Sequence, residues 1–276
     1  LMRLVAVIVV YQPDIDFLNK NILSLINHVD HLLLYQNSPL TNQDLYHNYE
    51  KLSFLGSGEN VGIAKALNQA IEWAEKNLYT HLLTLDQDSS FFNNDLKHFR
   101  DLIDHEKLPD IGIYCPNIDN RGKLLIEDKQ PIVEVKDSIT SGSIFPLGTF
   151  KLCGGFEEKL FIDAVDYEYC YRIFTKNNLK TVIYPEITLK HEVGYPTRIK
   201  FGFTTDNYSA FRTYFIIRNQ LLIWRRYPRL FQPGYKVTLV KIHIVFRFIK
   251  IILGEEDKIN KLKSIVRGIF HGLTSK

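Results

Sequence analysis

The sequence predicts an α/β protein: a Rossmann-like, mostly parallel sheet flanked by helices, with a helical C-terminal extension. Three observations predict it. Between residues 4 and 115, β-branched apolar runs alternate with segments of helical periodicity, the rhythm of a doubly wound sheet. The runs are continuous rather than alternating, as in strands covered on both faces. Polar and acidic residues gather where the runs stop, and in such sheets ligands bind beyond the carboxyl ends of the strands.

The run 4–11 (LVAVIVVY) reads as a central strand that Pro13 ends. Asp14 can cap a helix through residue 27, with Ile15, Leu18, Ile22, Leu25 and Ile26 on one face. Residues 31–36 form a second strand closed by Asn37, Ser38 and Pro39, and 52–55 form a short third. The glycine-rich loop 56–62 (GSGENVG) leads into a helix whose Ile63, Ala66, Leu67, Ala70, Ile71 and Ala74 share a face. A buried strand over 82–85 follows. From Phe91 onward the chain looks helical, with the helix covering roughly 93–107 and a further strand over 111–115.

The strand 82–85 stops at Asp86-Gln87-Asp88. Two carboxylates at the end of a core strand repel each other and lose hydration. A divalent cation removes both penalties, and hard oxygen ligands suit Mg²⁺ or Mn²⁺ shared with substrate phosphates. The competing reading is a solvated turn whose carboxylates cap the next helix. Tyr11, Asn37, Asn60 and Asp86 all fall at strand ends or in the loops just after them, which favours a ligand site.

Beyond Pro116 the rhythm changes. Residues 123–127 and 132–135 suggest an antiparallel excursion, and 139–145 another strand. Ser141, Gly142 and Ser143 are small enough there to let a bulky ligand lie against backbone. A short helix over 147–152 is stopped by Gly154 and Gly155. The stretch 161–172 (FIDAVDYEYCYR) opens a helix near Asp166, with Val165, Tyr169, Cys170, Ile173 and Phe174 as its apolar stripe. Asp166 reads as a general base or, with Asp163, as a helix-capping carboxylate. Residues 181–184 are the next strand; His191 after it is a metal or phosphate ligand, or an ordinary surface histidine.

Residues 206–231 are aromatic and arginine-rich, a helix that closes over an acceptor or simply packs. In 236–253, His243, Arg247, Lys250 and Gly254 recur at helical spacing, which predicts an amphipathic basic helix rather than a span. Residues 258–276 continue basic, with Ile265, Ile269 and Phe270 apolar. Contact with the inner leaflet of a membrane and a dimer interface are the two expectations for this region.

Composition bounds the rest. At 276 residues and 45% hydrophobic, the chain can bury a full core. A net charge of +3 is too mild to imply a nucleic-acid partner. Cys115, Cys153 and Cys170 lie far apart, so neither a zinc site nor a disulfide framework is expected, and a reducing, cytoplasmic setting fits. Arg3 is the only charged residue before the first strand-like run, so no signal peptide is expected, and no apolar run has spanning length.

The pieces 9–13 (VVYQP), 59–64 (ENVGIA) with Asn68, 84–89 (TLDQDS), Ser141 with Gly142, 160–172, His191 and 211–219 (FRTYFIIRN) form an ordered set. In order and spacing the chain from about residue 5 to 219 resembles the inverting nucleotide-sugar transferases of glycosyltransferase family 2, and within them the bacterial rhamnosyltransferases. The resemblance implies the A-type glycosyltransferase (GT-A) fold over 1–205, with 206–276 as a basic helical region for acceptor, membrane or dimer contact. It implies that Tyr11, Pro13 and Asn37 line the nucleobase pocket and that Asn60, Gly62 and Lys65 lie along the nucleotide and its phosphates. Ser141 and Gly142 would border the donor. Asp88 would bind the metal, Asp86 the ribose or the metal's water shell, and His191 the diphosphate or the metal. Asp166 matches the family's catalytic base. The family often has Asp where Gln36 stands, and its common Glu-Asp pair appears as Val165-Asp166, as in the rhamnosyl branch.

The implied reaction is a Mn²⁺- or Mg²⁺-dependent transfer of L-rhamnose from dTDP-rhamnose to a polysaccharide or lipid-linked glycan. A UDP-sugar donor (galactofuranose, glucose or N-acetylhexosamine) is the alternative on the same fold. A nucleotide-sugar binding module would have no use for Asp166. A two-carboxylate hydrolase needs an acid for the leaving oxygen, which a metal-neutralised diphosphate does not. An oxidoreductase is disfavoured because Gly56-Ser57-Gly58 lacks the full dinucleotide-binding register.

Overall fold

The computed structural model describes residues 2–41, 43–46, 48–106, 108–127, 130–191 and 197–275 of the chain. They form two compact units, Leu1–Glu158 with Tyr169–Glu192, and Lys159–Glu168 with Val193–Lys276.

In the first unit β1 (Leu4–Val10) is buried at every position, which its unbroken apolar sequence requires. Helix α1 (Ile15–Leu25) starts where the Asp14 side chain accepts a hydrogen bond from Phe17 N–H, and it buries Leu18, Ile22 and Leu25. Strands β2 (His31–Gln36) and β3 (Leu52–Leu55) follow as predicted. Helix α2 (Ile63–Lys76) presents Ala64, Ala66, Ala70 and Ala74 with Leu67 and Ile71 on its buried face. Next come β4 (His81–Asp86), β5 (Ser89–Phe91), α3 (Asp95–Glu106), β6 (Ile111–Asn120), β7 (Lys123–Leu124), β8 (Val133–Val135), β9 (Ile144–Pro146) and α4 (Leu147–Cys153). Helix α5 (Val165–Asn177), whose residues up to Glu168 belong to the second unit, leads to the long β10 (Lys180–His191). The sheet order is β3-β2-β1-β4-β9-β6-β10-β5, with β7 on β6 and β8 on β10. Its β3-β2-β1-β4 half is parallel throughout; β6 and β10 are also parallel, and the remaining pairs are antiparallel.

Four expectations change. The helix foreseen from Phe91 is preceded by β5, which pairs antiparallel with the end of β10 and buries Ser89 and Phe91, a two-residue alternation that no helix provides. Its expected end at Lys107 lies outside the described residues. The strands foreseen over 123–127 and 132–135 shorten to β7 and β8. The strand foreseen over 139–145 shortens to β9, because Gly142 at φ +79° turns the chain and donates its N–H to the Thr84 carbonyl at 2.7 Å. Along α5, Val165, Tyr169, Cys170 and Ile173 are buried, but Phe174 is exposed and Tyr171 is buried in its place. The three cysteines are free thiols, and burial pushes Cys115 up to about 11.

In the second unit β11 (Thr197–Arg198) and β12 (Thr204–Thr205) form a small hairpin. Helix α6 (Ala210–Arg226) sits inside the predicted stretch 206–231. Helix α7 (Pro233–Val240) runs through a π-helical stretch, Lys241–Phe246, into α8 (Arg247–Gly254), and α9 (Lys258–Thr274) ends the unit. Helices α6 and α9 pack closely: a Cβ on Gly272 would meet Leu221 Cβ at 2.8 Å, and one on Gly268 the Tyr214 carbonyl at 3.0 Å. Among the described residues no helix is long and apolar enough to cross a membrane.

The basic stripe of 236–253 is not an outer face. Arg247 is buried, donating to Thr213 Oγ1 at 2.8 Å and the Tyr208 carbonyl at 3.2 Å, and lies 3.7 Å from Glu255. Glu255 is itself buried, paired with Lys261 at 2.9 Å and accepting from the Thr205 hydroxyl. A buried carboxylate persists only when cations and donors surround it, and Arg247 is drawn inward to supply one.

Candidate active site

Strand β4 ends on Asp86, which stands beside Val9 of β1 in the parallel register. Gln87 then ties the two strand ends together: its Oε1 accepts Tyr11 N–H at 2.9 Å and its Nε2 donates to the Tyr11 carbonyl at 3.1 Å. The chain turns into β5, whose register on β10 sets Ser89 opposite His191. One oxygen or ring-nitrogen atom from each of Asp86, Asp88 and His191 lies within 4.8 Å of the others. Asp88 is exposed, and His191 Nδ1 is 3.9 Å from its Oδ1.

Behind this cluster is a buried hydroxyl pair. Ser89 Oγ is 2.6 Å from His191 Nδ1, Ser141 Oγ donates to Ser89 Oγ at 2.8 Å, and Ser141 Oγ accepts Asp86 N–H at 3.0 Å. Ligating imidazoles are held this way, with the second ring nitrogen engaged by a neighbouring polar group. Two carboxylates and one imidazole, with Asp88 open to solvent, fit Mn²⁺ or Mg²⁺ sharing its remaining positions with phosphate oxygens.

The loops after β2 and β3 are pinned to each other. Asn37 is buried; its Nδ2 donates to Asn60 Oδ1 at 3.2 Å, and its Oδ1 accepts Val61 N–H at 2.8 Å. Asn60 Oδ1 also accepts Gly62 N–H at 3.1 Å. Gly62 caps α2 without a side-chain bond, and Lys65 is exposed in the first turn. Tyr11 is exposed and Pro13 half-buried, while Ser38 Oγ accepts Gln12 N–H at 2.8 Å. Ser141, Gly142 and Ser143 are not the open floor that their size suggests. A Cβ on Gly142 would come within 2.7 Å of Leu189 and Pro116 side chains, so packing explains the glycine, and Ser141 and Ser143 beside it are buried.

Asp166 belongs to the second unit. It is half-buried in the first turn of α5, and its Oδ1 accepts Tyr167 N–H at 2.9 Å. The turn before it is strained: Phe161, Asp163 and Ala164 have φ of +63°, +62° and +63°. Buried Asn219 on α6 holds it, its Nδ2 within 2.9, 2.8 and 2.8 Å of the Leu160, Ile162 and Asp163 carbonyls. Arg212 forks onto Asp163, with Nη2 to Oδ1 at 3.0 Å and Nε to Oδ2 at 3.2 Å. Glu168, also buried, accepts from Tyr227 at 2.7 Å and Arg226 at 3.3 Å. The arginines of α6 therefore brace the acidic turn. Asn219 and Ser89 are the residues that sequence reasoning left without a role. A polar Asn amid the apolar positions of α6 was the signal for the first; the second had none beyond its place after Asp88.

No protein-family model matches the chain. Over 97% of its length it is 28% identical to the dTDP-rhamnosyl transferase RfbF of Shigella flexneri, covering 94% of that protein. Among solved structures it is similar to GalNAc-T7 with UDP, GalNAc and Mn²⁺, with TM-score 0.63, 14% identity and 87% of this chain matched. The chain spans half (50%) of that GalNAc-T7 chain. S. aureus TarS 1-349 in complex with UDP-GlcNAc matches 97% of this chain and 79% of its own, with TM-score 0.62 and 13% identity. The fold is that of the A-type glycosyltransferases.

Proposed function

We propose that this protein is an inverting glycosyltransferase that moves L-rhamnose from dTDP-rhamnose onto a polysaccharide or lipid-linked glycan, working in the cytoplasm. The observation that carries the reading is the Asp86–Asp88–His191 cluster at the end of the central strand, in a chain similar over 97% of its length to a dTDP-rhamnosyl transferase. In this reading Asp88, Asp86 and His191 hold Mn²⁺ or Mg²⁺, which would neutralise the charge that develops on the leaving diphosphate. Tyr11, Pro13 and Asn37 bind the nucleobase. Asn60, Gly62 and Lys65 follow the phosphates; Asn37 holds Asn60, and Asn60 in turn accepts Gly62 N–H. Ser141 supports Asp86 from behind, and Gly142 keeps the turn behind it tight. Asp166 removes the proton of the acceptor hydroxyl as it attacks the anomeric carbon.

The solved neighbours with UDP and UDP-GlcNAc favour one second reading, the same chemistry with a UDP-sugar. A donor panel of dTDP-rhamnose and UDP-sugars, assayed for turnover and thermal shift with Mn²⁺ or Mg²⁺, separates the two. Asp166→Asn is expected to lower turnover roughly 100-fold or more while donor binding stays unchanged. Near-full turnover in that variant would refute its role, and donor binding without turnover in the wild type would make the protein a binding module.

A further inference from the structure

Helix α1 buries a polar side chain on its apolar face. Leu18, Ile22 and Leu25 line that face at the spacing of successive turns, and Asn21 lies among them at 1% exposure. A buried amide loses its hydration and needs partners at both ends. Asn21 meets that need at one end. Its Nδ2 donates to the Asp86 carbonyl at 3.3 Å, and its Oδ1 has no hydrogen-bond partner among the described residues. Turning the amide round does not help, because the Asp86 carbonyl can only accept. An apolar residue would suit this face better, so what Nδ2 holds is the reason for the amide.

What it holds is the last peptide of β4. Ser141 Oγ accepts the Asp86 N–H, and Asn21 donates to the carbonyl of the same residue. Both backbone groups of Asp86 are therefore bound by side chains from outside the strand. Helix α1 reaches this point because it packs against β5, the strand that follows the turn at Gln87 and Asp88. The peptide that Asn21 grips is the one from which that turn departs. Its plane sets the direction in which the turn carries Asp88 past Asp86 and His191.

We propose that Asn21 is a positioning residue for the candidate metal centre: it fixes the Asp86–Gln87 peptide and, through it, the spacing of the Asp86 and Asp88 carboxylates. The inference rests on the reading of Asp86, Asp88 and His191 as metal ligands. The test is titration of the full chain with Mn²⁺, followed by electron paramagnetic resonance in the presence of dTDP and, separately, of UDP. It needs neither turnover nor a known donor. Asn21→Ala is expected to weaken Mn²⁺ binding roughly tenfold. Its thermal transition is expected to stay close to that of the wild type, because the unmet Oδ1 leaves with the lost hydrogen bond and Ala favours the helix. Asn21→Leu keeps the branched shape, also lacks the donor, and is expected to weaken Mn²⁺ binding likewise. Ile22→Val, next to it on the same face, is the control, expected to lower the thermal transition and leave Mn²⁺ affinity unchanged. Undiminished Mn²⁺ affinity in both Asn21 variants overturns the proposal. An equal loss in Ile22→Val also overturns it, because general packing would then account for the effect. Absence of Mn²⁺ binding by the wild type overturns the metal reading itself, and this inference with it.

Discussion

His191 stands opposite Ser89 in the pairing of β5 with β10, its Nδ1 2.6 Å from the Ser89 hydroxyl. The orientation of the imidazole thus rests on a buried serine, which Ser141 holds in turn. Replacing Ser89 with Ala removes that support and leaves every ligand-bearing side chain in place. Metal-dependent binding of dTDP is expected to weaken about 10- to 100-fold, the usual effect of losing a partner behind a metal ligand. Calorimetric titration with dTDP, with and without Mn²⁺, measures it; unchanged affinity would show that the ring is held by other contacts.

Asn219 is the clasp of the strained turn at residues 160–164. Its amide serves three carbonyls from a fully buried position. Asn219→Leu keeps the branched shape and leaves those carbonyls without their donor, a loss of about 1–3 kcal/mol. Urea unfolding should show a lower midpoint with an unchanged slope. Turnover should fall further than stability explains, because the turn also positions Asp166.

His81, at the start of β4, makes the fold acid-sensitive. Burial lowers its pKa from 6.5 to about 4; the nearby Asp104 opposes that shift, and Arg100 adds to it. The native state therefore refuses a proton that the unfolded chain accepts. The associated stability is complete above pH 6.5 and declines as the pH falls toward 4. The difference between pH 7 and pH 5 is about 2 kcal/mol. Urea unfolding at the two values, for the wild type and for His81→Gln, should show the dependence in the first and its reduction in the second.

The parallel half of the sheet was legible because burial on both faces leaves its mark in composition. The segments 31–36 and 52–55 match β2 and β3 residue for residue. Strand β5 was not legible: three residues carry too little periodicity, and their partner strand ends about a hundred positions away. The basic stripe of 236–253 was visible, but its direction was not. Spacing names the residues that share a face, whereas the buried Glu255 decides which way that face turns. At the site, Asp86 and Asp88 stood out by their position after an apolar run, and His191 joined them through the resemblance. Their serine support and the Asn219 clasp depend on contacts across 52 to 102 residues; the serines left no local trace, and Asn219 showed only as a polar position among the apolar ones of α6.

The separation of 102 positions between Ser89 and His191 has a consequence for how the protein assembles. Closing so large a loop costs entropy before any contact compensates it. The four parallel strands can organise while the imidazole is still far from the two carboxylates. In the proposed reading, affinity for a divalent ion appears only once β10 has paired, and a nascent chain halted before β10 would own the acidic pair without the nitrogen that completes it.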